Sequence, residues 1–260
     1  RDSQDHQRSP KENLYVSFLW LLARLMHDLI MRTWAERAQA ELGAAQRFRS
    51  IAKRLKEYEV PSRISNLANK AAQDEERHAF LCAKIAIQWG HATGFEKPKD
   101  VPKTIIHPWN HLSPQDVFLL DIILMCCITE SFNASLLNSI YTQSKQSEEG
   151  RIIHQILKDE VQHAQLGWAL LQFESQRRDC AFVSGHLVNM LNIAIRDALF
   201  SSSHQLSDPS SYIHGVMPHQ DRLPQFETTL KEVICPGFIH FGIDATPMQD
   251  WTEEKIYTKF

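Results

Sequence analysis

Asp74-Glu75-Glu76-Arg77-His78 and Asp159-Glu160-Val161-Gln162-His163 are two copies of one pattern, D-E-x-x-H. Three residues apart on a helix, a Glu and a His share one face about 5 Å apart, so a carboxylate and an imidazole can grip one metal ion. In a chain of 260 residues with 13 His, chance supplies about one Glu-x-x-His pair. Two pairs, each led by Asp, are harder to attribute to chance, and the chain holds no others.

A two-metal site in a four-helix bundle takes one Glu from each of two helices and a Glu-x-x-His from each of the other two. The segments upstream of the motifs can supply the missing pair. Residues 34–58 are a helix-forming run with Glu41 in its first half. Residues 116–141 form a far more apolar run whose one interior glutamate is Glu130. In an antiparallel hairpin, residues equidistant from the turn lie level. The position midway between Glu41 and His78 falls in Glu59-Val60-Pro61-Ser62, a natural break. The position midway between Glu130 and His163 falls in the polar stretch 144–150. Each acid therefore lies level with its motif, and six ligands are expected to meet: Glu41, Glu75, His78, Glu130, Glu160 and His163. Glu130 stands in LLDIILMCCITESFNASLL, where a carboxylate needs a partner or loses its charge.

The rest of the chain frames this site. With 43% hydrophobic residues, 30 kDa can bury one large core, so residues 1–260 are read as a single domain. Within it, 34–177 would be the four-helix core, 13–31 an N-terminal packing helix and 178–260 a C-terminal helical cover. Glycine is scarce and alternating β-branched runs are nearly absent, which makes the fold class all-α. A net charge of −3 gives no basic footprint for nucleic acid. Five cysteines without a CxxC pair suit a reducing compartment, and a cytoplasmic location is expected. Residues 15–31 are the one segment that could pass for a membrane helix, but Arg24, His27 and Asp28 make a helix packed on the bundle the better reading. Residues 90–112 carry Pro98, Pro102 and Pro108 and are long enough to cross the length of a bundle. Ser113-Pro114 reads as an N-cap with Pro at the first helical position. A fifth helix is expected near 180–200, and a final one over 225–234 ended by Cys235-Pro236-Gly237. His204, His214 and His219 lack ligand spacing and read as loop residues.

In this order, Glu41, Glu75-x-x-His78, Glu130 and Glu160-x-x-His163 resemble the ligand set of the ferritin-like di-iron carboxylate superfamily. Within it the chain is most similar to bacterial ferritin-like domain proteins with a Trp-led first helix and a D-E-x-x-H-A motif. The resemblance covers about residues 34–177 and implies a ferritin-like four-helix bundle with one long crossover and flanking helices at both ends. It also implies two Fe, with Mn or a mixed Mn/Fe pair as alternatives. Members with two Glu-x-x-His motifs include ribonucleotide reductase's radical-generating subunit, multicomponent monooxygenases, desaturases, rubrerythrins and N-oxygenases. By the same resemblance Asp74 would orient His163 and Asp159 would orient His78. The departures are as informative. Cys82 stands where ribonucleotide reductase has its radical Tyr, and Ala134 where soluble methane monooxygenases place a Thr. Ile156 stands where arylamine N-oxygenases have a third His.

The leading expectation is a di-iron oxidase or oxygenase acting with O₂ on a small organic substrate, with an electron-donor protein as a possible partner and no role for nucleic acid or membrane. Glu41 and Glu130 are expected to bridge the metals or shift to open a coordination position. Cys82, Cys126, Cys127 and Ala134 would line the substrate pocket, although Cys126 and Cys127 also suit a role as small core fillers. The alternatives are a manganese catalase or peroxidase activity and a non-catalytic metal-binding or storage bundle. Two histidines per site argue against storage, and the missing CxxC pairs argue against a rubrerythrin.

Overall fold

A computed structural model of the chain describes residues 10–92, 109, 111–195, 199 and 208–257. Every regular element among them is helical. Helix α1 spans Pro10–Glu57 and α2 spans Ser62–Gln88, joined by a tight turn in which Glu59 takes a positive φ of 53°. The third long helix is continuous but not uniform. It starts as α3 (Pro114–Ile122), passes through a π-helical segment (Ile123–Glu130) and ends as α4 (Ser131–Ser144). Helix α5 (Glu148–Ser175) returns antiparallel to it. Both turns fall where equal spacing from the paired residues puts them.

Capping follows the side chains. Ser113 accepts from the Asp116 amide and Pro114 opens the helix, while Ser147 accepts from the Gly150 amide at the start of α5. The two hairpins meet along α2 and α5, which pack antiparallel: Lys84 reaches Glu148, and Lys70 reaches Gln162. At one end of the bundle Trp89, just past α2, donates to Glu149 of α5. At the other end, Tyr58 stacks on Phe118 of α3, and Arg178 beyond α5 binds Asp116 and Glu174. The connection 90–112 therefore starts and finishes at opposite ends. Its proline-bearing middle, 93–108, lies outside the described residues, as does His204.

Several expectations need correction. Residues 13–31 are not a separate packing helix but the first part of α1, which runs unbroken for 48 residues, about 72 Å at 1.5 Å per residue. Nothing between Met31 and Trp34 can break a helix, and α1 outruns its partner: His27 lies beside Trp89, where α2 has already ended. Before that level Trp20, Leu21, Leu22 and Leu25 are exposed. The run long and apolar enough to cross a membrane, among the described residues, is 114–144 rather than 15–31, and 67% of its most apolar window is buried inside the fold.

The C-terminal region is also more helical than its sequence suggests. A 3₁₀ turn (Ala181–His186) leads into α6 (Leu187–Ala194), whose Leu187, Met190 and Leu191 are buried in the same core as the π segment. A second 3₁₀ turn (Pro209–His214) precedes α7 (His219–Thr229), so His219 opens a helix. Cys235-Pro236-Gly237 does not stop the chain. A π turn (Leu230–Ile234) delivers it into α8 (Cys235–His240), where Pro236 occupies the first turn and its missing N–H costs little. Helix α9 (Thr246–Tyr257) follows, with Trp251 buried.

Close approach of α5 to the π segment depends on Gly167. A Cβ there would lie 2.6 Å from Cys127 Sγ and 2.9 Å from the Cys127 backbone nitrogen. Neither atom can give way, because both belong to the buried core. Gly167→Ala should cost about 1–3 kcal/mol by overpacking, read as a lower midpoint in urea denaturation of the metal-free protein.

Candidate metal centre

All six expected ligands come together in the bundle interior. Five are buried, and Glu41 keeps a partial exposure. They form two overlapping groups, each with ligand atoms within 4.8 Å of one another. Glu41, Glu75, His78 and Glu160 make one, and Glu75, Glu130, Glu160 and His163 make the other. Glu75 and Glu160 are thus common to both. Glu41 of α1 and Glu130, the last residue of the π segment, belong to one group each.

The imidazoles present one nitrogen inward and one outward. His78 Nδ1 lies 3.4 Å from Glu75 Oε2 and 3.4 Å from Glu160 Oε1. His163 Nδ1 lies 3.1 Å from Glu75 Oε1 and 3.3 Å from Glu160 Oε2. On the outer side His78 Nε2 donates to Asp159 at 3.1 Å, and His163 Nε2 faces Asp74 at 3.5 Å. Each Asp thus attends the histidine of the opposite helix. A ring that gives its Nε2 proton to an Asp keeps the Nδ1 lone pair for the centre.

Two cations hold the aspartates. Arg77 binds Asp74 at 2.9 Å and Asp159 at 2.5 Å, and Lys70 lies 3.3 Å from Asp74 and 4.0 Å from Asp159. Sequence reasoning passed over both. The available signal was that Arg77 sits inside the motif and Lys70 seven residues before it, on the same helical face. On the other side of the centre Asn133 donates to Glu130 at 3.3 Å, and Phe48 lies against His163 with ring centroids 5.2 Å apart.

The π segment ends at Glu130. Thr129 Oγ1 donates to the Leu124 carbonyl five residues back, a π spacing. Cys126 lies within the field of Glu130, Glu75 and Glu160, while the Cys127 thiol packs toward Gly167. Cys126 and Cys127 are both fully buried in the same core. Cys82, fully buried, feels the charges of Glu160 and Glu75, and burial pushes its thiol up to about 12. Ala134 is partly exposed on the turn after Glu130. All five cysteines are free. His214 lies against Trp89, away from the ligands.

Burial and mutual contact set the charges of the centre. Burial, reinforced by the negative charge of Glu75 and Glu160, pushes the Glu41 and Glu130 carboxyls well up. Burial would raise Glu75 and Glu160 as well, but the two imidazoles hold both below the usual carboxylate range. Burial would likewise lower the imidazoles, yet contact with the carboxylates pushes His78 up to about 9 and His163 up to about 11. Protons thus supply the positive charge four carboxyl groups demand. They do not satisfy the hydrogen-bonding geometry: both Glu75 oxygens and His78 Nδ1 are buried without a hydrogen-bond partner. Buried polar atoms are rarely left so, and these converge on shared points. Carboxylate oxygens with a minority of imidazole are a donor set suited to divalent iron or manganese.

No protein-family model, curated protein or solved structure significantly matches the chain.

Two outcomes follow from the charges and contacts. With chelator present, the raised imidazoles stabilise the folded state fully below pH ~6.5, their unfolded value, and lose that contribution as pH rises through about 9 and then 11. The midpoint of thermal unfolding should therefore fall across that alkaline window. Asp159→Asn removes the acceptor charge behind His78 and should weaken metal affinity by about 10–100-fold, measured by competition with a chromogenic chelator.

Proposed function

We propose that the chain is a ferritin-like di-metal carboxylate protein and that its function is oxidation of a small organic substrate with dioxygen at a pair of iron ions. The observation that carries this reading is the convergence of Glu41, Glu75, His78, Glu130, Glu160 and His163 into two ligand groups that share Glu75 and Glu160. Glu41 and His78 would complete one position, Glu130 and His163 the other. Four carboxylates balance two divalent ions, and both imidazoles then bind as neutral ligands. Bound there, a redox-active pair would supply reductive activation of dioxygen.

The residues around the pair have definable tasks. Asp159 and Asp74 accept the outer imidazole protons and fix the orientation of each ring. Phe48 and the buried thiols of Cys82 and Cys126 would keep water away from the carboxylates. Asn133 holds Glu130 by a hydrogen bond from its amide nitrogen. The cover formed by α6 and α7 closes the apolar flank of the π segment and α4, with Phe226 edge-on to Phe132 at 5.1 Å. An apolar enclosure of this kind suits an organic substrate better than an ion-storage path, which needs a polar file of carboxylates.

Protein produced with iron and manganese in excess should carry two metal ions per chain by elemental analysis. Because Glu75 and Glu160 belong to both groups, Glu75→Ala or Glu160→Ala should remove both ions, whereas Glu41→Ala or Glu130→Ala should remove at most one. A folded protein with no bound metal sinks the reading. Aerobic ferrous loading that deposits many irons per chain, instead of a fixed pair that consumes O₂, replaces it with storage.

A further inference from the structure

We infer that the outer face shared by α2 and α5 is the docking surface for an acidic electron-donor protein. The inference rests on the di-metal reading above and adds the partner and its place of contact.

Four basic residues stand on α2 at intervals of seven, Arg63, Lys70, Arg77 and Lys84, and this spacing keeps them in one row along the helix. The row is exposed, and α5 adds Arg151 and Lys158 beside it. The acids on this face are largely neutralised: Asp74 and Asp159 by Arg77 and Lys70, Glu148 by Lys84, and Glu76, on the α1 side, by Arg49. Arg63, Arg151 and Lys158 make no ion pair among the described residues. The chain as a whole carries a net charge of −3, so this cationic face runs against the balance of the molecule.

The same face offers a short polar route to the centre. The Arg77 guanidinium, with 47% of its side chain exposed, bonds to Asp159, which bonds to His78. Its second branch bonds to Asp74, which faces His163. Either inward-facing imidazole is thus two polar contacts from solvent here. Oxidation with O₂ needs electrons from outside whenever the substrate yields fewer than the oxygen consumes. The donor loses one electron per encounter, and two encounters reduce two trivalent ions to divalent.

A protein fits this face better than nucleic acid does. Phe80, 70% exposed, stands one turn from both Arg77 and Lys84, with Ile87 exposed further along. An aromatic anchor ringed by charge has the composition of a protein interface, and charge complementarity selects an acidic partner.

An acidic [2Fe–2S] ferredoxin serves as the probe. The metal-free full chain should bind it by calorimetry, with affinity falling at least about tenfold between ~50 and ~300 mM salt. A quadruple variant, R63E/K84E/R151E/K158E, should lose at least about tenfold in affinity, and Phe80→Ala alone should weaken binding measurably, each with an unchanged circular dichroism spectrum. In the metal-loaded protein the quadruple variant should slow reduction by photoreduced ferredoxin equally and leave reduction by dithionite unchanged. No ferredoxin binding, binding indifferent to both variants, or tighter binding of single-stranded poly(U) RNA overturns the inference. Absence of metal would appear in elemental analysis and leave the binding assay intact, so failure of the di-metal reading is told apart from failure of the docking surface.

Discussion

The fold is organised around the cost of burying four carboxyl groups and two imidazoles in one place. Left ionised and unpaired, each buried carboxylate would cost several kcal/mol. The molecule meets that cost in two layers. Inside, protons or metal ions balance the charge. Outside, Asp74 and Asp159 fix the rings, and Arg77 and Lys70 fix the aspartates. The outer layer is built almost wholly from α2 and α5, so the contact between the two hairpins is at once the centre's scaffold and its exposed side.

Helix 114–144 supplies the opposite wall. Its apolar run suits burial between α5 and the C-terminal cover, and the π segment within it ends on the ligand Glu130. A π turn widens the helix and rotates the residues that follow it. Cys126 and Cys127, both inside the π segment, pack where α5 passes at Gly167. Gly167 completes the arrangement because any side chain at that position would push α5, and with it Glu160 and His163, away from the wall.

The sequence determined which residues meet. Glu-x-x-His spacing puts two ligands on one helical face whatever surrounds them, and symmetry about two evident turns levels Glu41 and Glu130 with the motifs. Both are local properties of helical geometry, and the all-α class and the caps at Ser113 and Pro114 follow from the same kind of rule. Tertiary structure alone decided which glutamates are shared, since that depends on α2 and α5 facing each other at the centre. It also decided that Arg77 clamps two aspartates 85 positions apart in the chain, Asp74 and Asp159. It placed the π segment in a run of Ile, Leu, Met and Cys that carries no local signal for it. The unbroken α1 was the opposite case: no residue between Met31 and Trp34 favours a break, and only the end of its partner α2 marks where packing stops. Spacing along one helix is written in the chain, whereas contacts between helices depend on how whole surfaces fit.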